Sequence, residues 1–182
     1  MALTKVQAEG VNLADTFAFS GTVTGATPIT HVDQWRLTTN FSGTAEPIAS
    51  NLERVDTGAQ GTIGSAMTVS SGIFTFPVTG IWLVTARVGL SRAGDSRYQT
   101  LYIQATVNNS DYTTIAQNNS NINQSESGRT YISNHNSSTM DVSNVTNVKV
   151  RFSVTPSQSD VLTHGDSTNN DTSFTFIRLG DT

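Results

Sequence analysis

The sequence predicts an all-β protein, an antiparallel sandwich or barrel preceded by an extended N-terminal arm. Three observations predict it. Short apolar–polar alternations recur along the chain, with turn signals roughly every 8–12 residues. No segment sustains the apolar period of a helix. The composition is 36% hydrophobic and only 13% charged, and Ser, Thr, Asn and Gly make up much of the difference. Those four residue types are poor helix formers.

The elements follow in order. Residues 1–28 form a separate region, with apolar Val6, Val11, Leu13, Phe17 and Phe19 interrupted by Gly10, Gly21, Gly25 and Pro28. Their spacing suits an extended arm better than a helix. The five apolar residues lack partners within the arm, so they are expected to dock on another protein or a sister chain. From residue 29 onward the chain reads as one β domain ending at residue 182.

Trp35 to Phe41 alternates apolar and polar residues, and Leu52 to Val55 is a short candidate strand. Ile63 to Val69 is punctuated by Gly and Ser. Gly72 to Phe76 leads into a turn set by Pro77 and Gly80, and Ile81 to Leu90 follows as a second apolar strand carrying Trp82. Proline cannot donate to a ladder, so Pro77 ends the first strand. Gly80 supplies a positive φ where the chain must turn. Tyr98 to Val107 is the longest clean strand. Asn108-Asn109-Ser110-Asp111 follows as a hairpin signal, and Tyr112 to Ala116 resumes after it.

Asn118 to Ser127 reads as a polar loop. Arg129 to Ser133 and Met140 to Val142 read as two shorter strands, and Val145 to Val154 alternates strongly. Pro156 to Asp171 reads as a second long polar loop before the final strand, Phe174 to Leu179. Period 2 puts Phe174 and Phe176 on one face of that strand, and Ile177 and Leu179 on the other. Both faces are apolar, so both are expected to be buried.

Charge and composition exclude several classes. Net charge is −4, and Lys and Arg are scattered rather than clustered, so nucleic acid is not an expected partner. There is no cysteine, which rules out disulfides and thiolate metal sites and fits assembly in a reducing cytosol. No signal-peptide pattern opens the chain, and no run of about 18 apolar residues occurs, so membrane insertion is not expected. Asn-x-Ser/Thr triplets, as at Asn118 and Asn144, follow from composition rather than glycosylation.

The stretch Gly72-Ile73-Phe74-Thr75-Phe76-Pro77-Val78-Thr79-Gly80-Ile81-Trp82 resembles the early core of the C1q/TNF-like jelly roll. Leu101 to Val107 with its Asn-Asn turn is similar to another strand of that family, and Ser173 to Leu179 is similar to its closing strand. The resemblance covers roughly residues 31–182 and implies an antiparallel β-sandwich jelly roll that works as a homotrimer. The family's collagen-like stalk is missing. In its place, the arm together with His31 to Leu37 looks like virion fibre proteins of tailed phages.

That likeness implies a head-fibre, tail-fibre or decoration protein, assembled in the host cytoplasm and resident on the virion. Residues 1–28 are its virion anchor, and the other virion proteins are its partners. Host-surface glycan is a further implied partner, through the loops Asn118–Ser127 and Pro156–Asp171. A free-standing trimeric carbohydrate-binding module is the alternative. Trp82, Tyr102, Phe152, Phe174 and Phe176 offer more apolar surface than one sandwich core needs, so they are expected to divide between the core and a threefold axis.

Enzymatic chemistry is not expected, and neither is a cofactor. Gly94-Asp95-Ser96 and Gly165-Asp166-Ser167 lie in β-rich loops, and a serine nucleophile is normally presented on a strand-to-helix turn. Asp160 and His164 are a carboxylate–imidazole pair four residues apart, spaced as in a loop with no helix to present them. His31, His135 and His164 show no metal-ligand spacing. Asp160, Asp166 and Asp171, with Asn169 and Asn170, are the oxygen-rich candidates for calcium, and a solvated loop is the competing expectation. An ion on a threefold axis is left open.

Overall fold

The computed structural model describes residues 29–182; the anchor residues Val6, Val11, Leu13, Phe17 and Phe19 lie outside the described residues. Twelve strands make up the described chain: β1 (Val32–Leu37), β2 (Thr39–Ser42), β3 (Leu52–Arg54), β4 (Thr68–Ser70), β5 (Ile73–Thr75), β6 (Gly80–Arg92), β7 (Ser96–Thr106), β8 (Thr113–Ile122), β9 (Thr130–Val142), β10 (Lys149–Pro156), β11 (Leu162–Asp166) and β12 (Ser173–Gly180). Every pairing is antiparallel. The first sheet runs β2-β11-β6-β12-β1-β3, with β9 on the other side of β6; the second runs β4-β5-β10-β7-β8. The two sheets form the sandwich the sequence predicts.

Alternation places the core. Trp82, Val84, Ala86, Val88 and Leu90 of β6 point inward, and the residues between them point outward. Phe174 and Phe176 of β12 point inward beside them. From the second sheet come Phe74, Leu101, Ile103, Val150, Phe152 and Val154. The rings of Phe152 and Phe174 stack across the gap, 4.1 Å between centroids, so one aromatic pair ties β10 to β12. Phe74 is the hub, lying against Trp35, Phe152, Phe174 and Phe176.

The turn after β5 is as expected. The strand stops at Thr75, before Pro77, and Gly80 opens β6 with φ +139°. A Cβ there would also meet the Gly180 carbonyl oxygen at 2.5 Å. The connection carries the chain from one sheet to the other and buries Phe76 on the way. The Asn108–Asp111 turn joins β7 to β8, with Asn109 at φ +62° and the Asn108 Oδ1 accepting from Ser110 N and Asp111 N.

Three readings are corrected. Residues 118–122, expected in a loop, belong to β8, and the two short strands expected around residues 129–142 are one continuous β9. β8 and β9 are the edges of their sheets, so their outward residues are solvated and polar. The inward face of β9 also turns polar in its middle, at Asn134, Asn136 and Ser138, where alternation calls for apolar residues. Its ladder with β6 overrides that weak local signal. The third correction is β11, a short strand inside the expected loop 156–171 that pairs with β2 and β6.

Two charges, Asp33 and Arg36, are almost completely buried against expectation. Asp33 is 2% exposed on the inward side of β1. Its carboxylate accepts from Met67 N at 2.8 Å, Trp35 Nε1 at 3.1 Å and Gln34 N at 2.9 Å, and pairs with Arg54 at 3.0 Å. It therefore ties the segment before β4 to β1. Replacing Asp33 with Ala leaves the Met67 and Trp35 N–H groups unpaired, and should cost about 2–4 kcal/mol, read as a lower urea midpoint. Arg36, 1% exposed on the outer face, donates to Glu53 at 2.6 Å, Thr57 Oγ1 at 2.9 Å and the Thr168 carbonyl at 3.2 Å, which pins two loops to β1.

Candidate functional site

Of the five aromatic residues singled out in the sequence, four lie in the core and one on an outer face. Trp82, Phe152, Phe174 and Phe176 are each at most 1% exposed inside one chain's core. Tyr102 lies half-buried on the outer face of the second sheet, between Ser153 and Gln117. Further partly exposed apolar residues lie on the outer face of the first sheet. Pairing aligns Thr139, Leu83, Ile177, Val32 and Ile63 in one row across β9, β6, β12, β1 and the adjoining loop. Ile63 is 50% exposed, and Leu179, at the bulge ending the β12–β6 ladder, is 46% exposed. The second face of the final strand, expected to be buried only by contact between copies, is partly exposed in a single chain, with Ile177 half-buried.

A second apolar surface lies around the edge. Val107, Ile115, Met140 and Val148 line a cavity of about 280 Å³ between β7, β8 and β9, at the level of the row. Val107 is 77% exposed and Ile115 is 40% exposed. Thr139 belongs to both surfaces. One chain thus presents an apolar face and, beside it, an apolar edge.

Farther along the same outer face the chemistry changes. The next row, Ser137, Thr85, Thr175 and Gln34, is polar, and Gln34 Nε2 donates to Thr175 Oγ1 at 2.8 Å. Beyond it lies a hollow of about 280 Å³ of mixed character, lined by Arg87, Gly89, Tyr131, Ser133, His164 and Asp171 together with Leu90 and Ile132. Topology creates it. The same edge of β6 pairs with β12 up to Arg87 and with β11 from Leu90, so neither strand covers Val88 and Gly89. Thr172 Oγ1 accepts from the Gly89 N–H at 3.2 Å instead. A Cβ at Gly89 would sit 3.1 Å from the Asp171 carbonyl oxygen, so glycine keeps the floor low.

Tyr131 stacks on His164 at the hollow's side, 5.4 Å between ring centroids with 30° between planes. His164 Nε2 lies 2.7 Å from Ser91 Oγ, and Arg129 donates to that hydroxyl at 2.9 Å. Ser91 and His164 thus make a serine–imidazole contact that the sequence triplets did not mark. It is not poised for acyl transfer: Ser91 is fully buried, and its oxygen already accepts from Arg129.

Burial pushes the His164 pKa below its ordinary 6.5; the Asp171 carboxylate opposes the shift and the Arg129 guanidinium adds to it. With the folded value below the unfolded one, the unfolded chain takes up the proton first. Stability should therefore fall as pH drops below about 6.5 and stay level above that window. Urea midpoints across this range check it, and His164→Gln should remove that step.

The other expected sites separate in space. Asp160 pairs with Arg92 at 2.6 Å, Asp166 Oδ1 caps its own turn by accepting from Thr168 N and Asn169 N, and Asp171 lines the hollow. Among the described residues no three His, Asp or Glu side chains are placed to hold a metal ion. His31 lies against Trp82, while His135 projects into solvent from β9.

No family model and no curated protein matches this chain. Solved structures do. The chain is similar to murine APRIL at pH 5.0, with a TM-score of 0.59 and 11% identity over 82% of this chain and 98% of that one. It is also similar to Eiger TNF from S. frugiperda, with a TM-score of 0.60 and 14% identity over 85% of this chain and 96% of that one. At these identities the likeness establishes the fold: a TNF-like jelly roll.

Proposed function

We propose that the chain is a non-enzymatic homotrimeric display protein, in which the apolar outer face of one copy receives the apolar edge of the next. The observation that carries this reading is the row Leu83, Ile177, Val32 and Ile63 beside the edge cavity at Val107 and Ile115. Two different patches on one chain make a head-to-tail contact, which closes into a ring when the rotation allows. Such neighbouring apolar surfaces are seldom left to water on a soluble monomer. The jelly-roll fold and the trimer implied by the sequence resemblance agree with this assembly.

The resemblance of the arm and His31 to Leu37 to tailed-phage fibre proteins extends the proposal. The trimer is a virion fibre or capsid-decoration protein anchored by residues 1–28, with the jelly roll facing outward, and it contacts host-surface glycan. Many weak sites on one particle reinforce each other. The rival is a free-standing trimeric carbohydrate-binding module.

Sedimentation equilibrium tests the assembly, and a mass three times the 19.4 kDa of one chain is expected. Immunogold labelling of particles from an infected culture tests the location: label over the head indicates a decoration protein, and label at the neck or tail a fibre. No label on any particle rejects the virion reading in favour of the soluble module.

A further inference from the structure

We infer that the hollow at the break in the β6 ladder is a binding site for one neutral hexose unit of a saccharide. This deepens the glycan part of the proposed function and rests on that reading, while standing apart from the trimer and the virion.

The argument starts from Tyr131. Tyr131 is 68% exposed on a strand whose other outward residues are Ser, His, Thr and Asp. An aromatic face in water suits the weakly hydrated C–H face of a pyranose ring. The ring is also held in place: it stacks on His164, which contacts Ser91, which Arg129 fixes in turn. A platform fixed before binding loses little freedom when the ligand arrives.

Polar groups converge on the same space. Arg87 Nη1 donates to the Asn170 carbonyl at 2.8 Å, which orients the guanidinium and leaves Nε and Nη2 for hydroxyl oxygens. Asp171 and Ser133 line the same space, and the Asp171 charge acts on His164 beside it; a carboxylate accepts hydroxyl protons, and a serine hydroxyl donates or accepts. An apolar platform with a few convergent donors and acceptors is the ordinary composition of a small-ligand site. The volume of about 280 Å³ sits at the small end of such clefts, so one ring fits and a chain passes over it. Arg87 and Asp171 cancel in charge. A phosphate or uronate would meet the Asp171 carboxylate, so a neutral polyol is favoured over an anion.

The test is saturation-transfer NMR and calorimetry on the full chain with the methyl glycosides of glucose, galactose, mannose and N-acetylglucosamine. At least one is expected to bind with Kd on the order of 1 mM. Tyr131→Ala should weaken it about tenfold or more, Tyr131→Phe should retain it, and Asp171→Asn should weaken it severalfold. Binding by none of the four, or equal binding by Tyr131→Ala, overturns the proposal. So does loss of assembly in Tyr131→Ala by sedimentation, since Tyr131 would then belong to the contact between copies. A single-chain mass for the wild type together with Tyr131-dependent binding would reject the trimer and leave the saccharide site standing.

Discussion

Phe176→Asp should yield no folded protein. Phe176 is completely buried, with its ring 5.1 Å from Phe74 and 6.2 Å from Phe76. Removing a buried Phe ring costs about 3–5 kcal/mol. An unpaired carboxylate placed among Phe74, Phe76 and Phe152 adds several more. The sum consumes most of the roughly 5–15 kcal/mol that holds a domain of this kind together. Circular dichroism should show loss of β signal, and the protein should be recovered only from the insoluble fraction. Phe176→Leu, which keeps the site apolar, should fold with a cost of about 1–3 kcal/mol. A soluble, cooperatively unfolding Phe176→Asp protein would contradict the placement of β12 in the core. The substitution thus reports on folding of one chain, not on assembly.

Assembly has its own probe. Leu179→Asp should give a folded single chain. The side chain is 46% exposed near the C-terminus, so a charge there should alter the stability of one chain by no more than about 0.5 kcal/mol. In the trimer it would bury an unpaired carboxylate at each of the three contacts, a penalty of several kcal/mol each. The expected result is an unchanged circular dichroism spectrum with a mass of 19.4 kDa instead of three times that. A head-to-tail contact also requires that damage to the opposite patch act alone. Val107→Asp, at a side chain 77% exposed on the edge, should dissociate the assembly as completely. If either variant keeps the full trimer mass, the proposed pairing of face and edge is wrong.

The fold class was legible because its determinants are local. Period-2 alternation at Ile81–Leu90, Tyr98–Val107 and Phe174–Leu179 marks strands whose inward side chains are mostly apolar. Pro77 and Gly80 mark where a strand must stop and where the chain must turn. The same reasoning failed at β8 and β9, where edge solvation and inward Asn134, Asn136 and Ser138 erase the alternation. Buried Asp33 and Arg36 were invisible for a different reason: beyond Gln34 and Trp35 beside Asp33, their donors and acceptors come from residues 53–67 and 168, brought close only by the fold.

The candidate surfaces divide the same way. That the final strand is apolar on both sides follows from Phe174, Phe176, Ile177 and Leu179 as written, because alternation along a strand is a local rule. Which of its two faces lies inside one chain depends on register across sheets, and pairing with β6 and β1 puts Phe176 inward and Ile177 outward. The hollow is further still from local rules. It exists because β11 and β12 share one edge of β6 and part company at Gly89, bringing Tyr131, His164, Asp171 and Arg87 together from four separate segments. The order of residues determined the strands and their two-sided chemistry; long-range pairing alone decided which side met water and where a gap was left between strands.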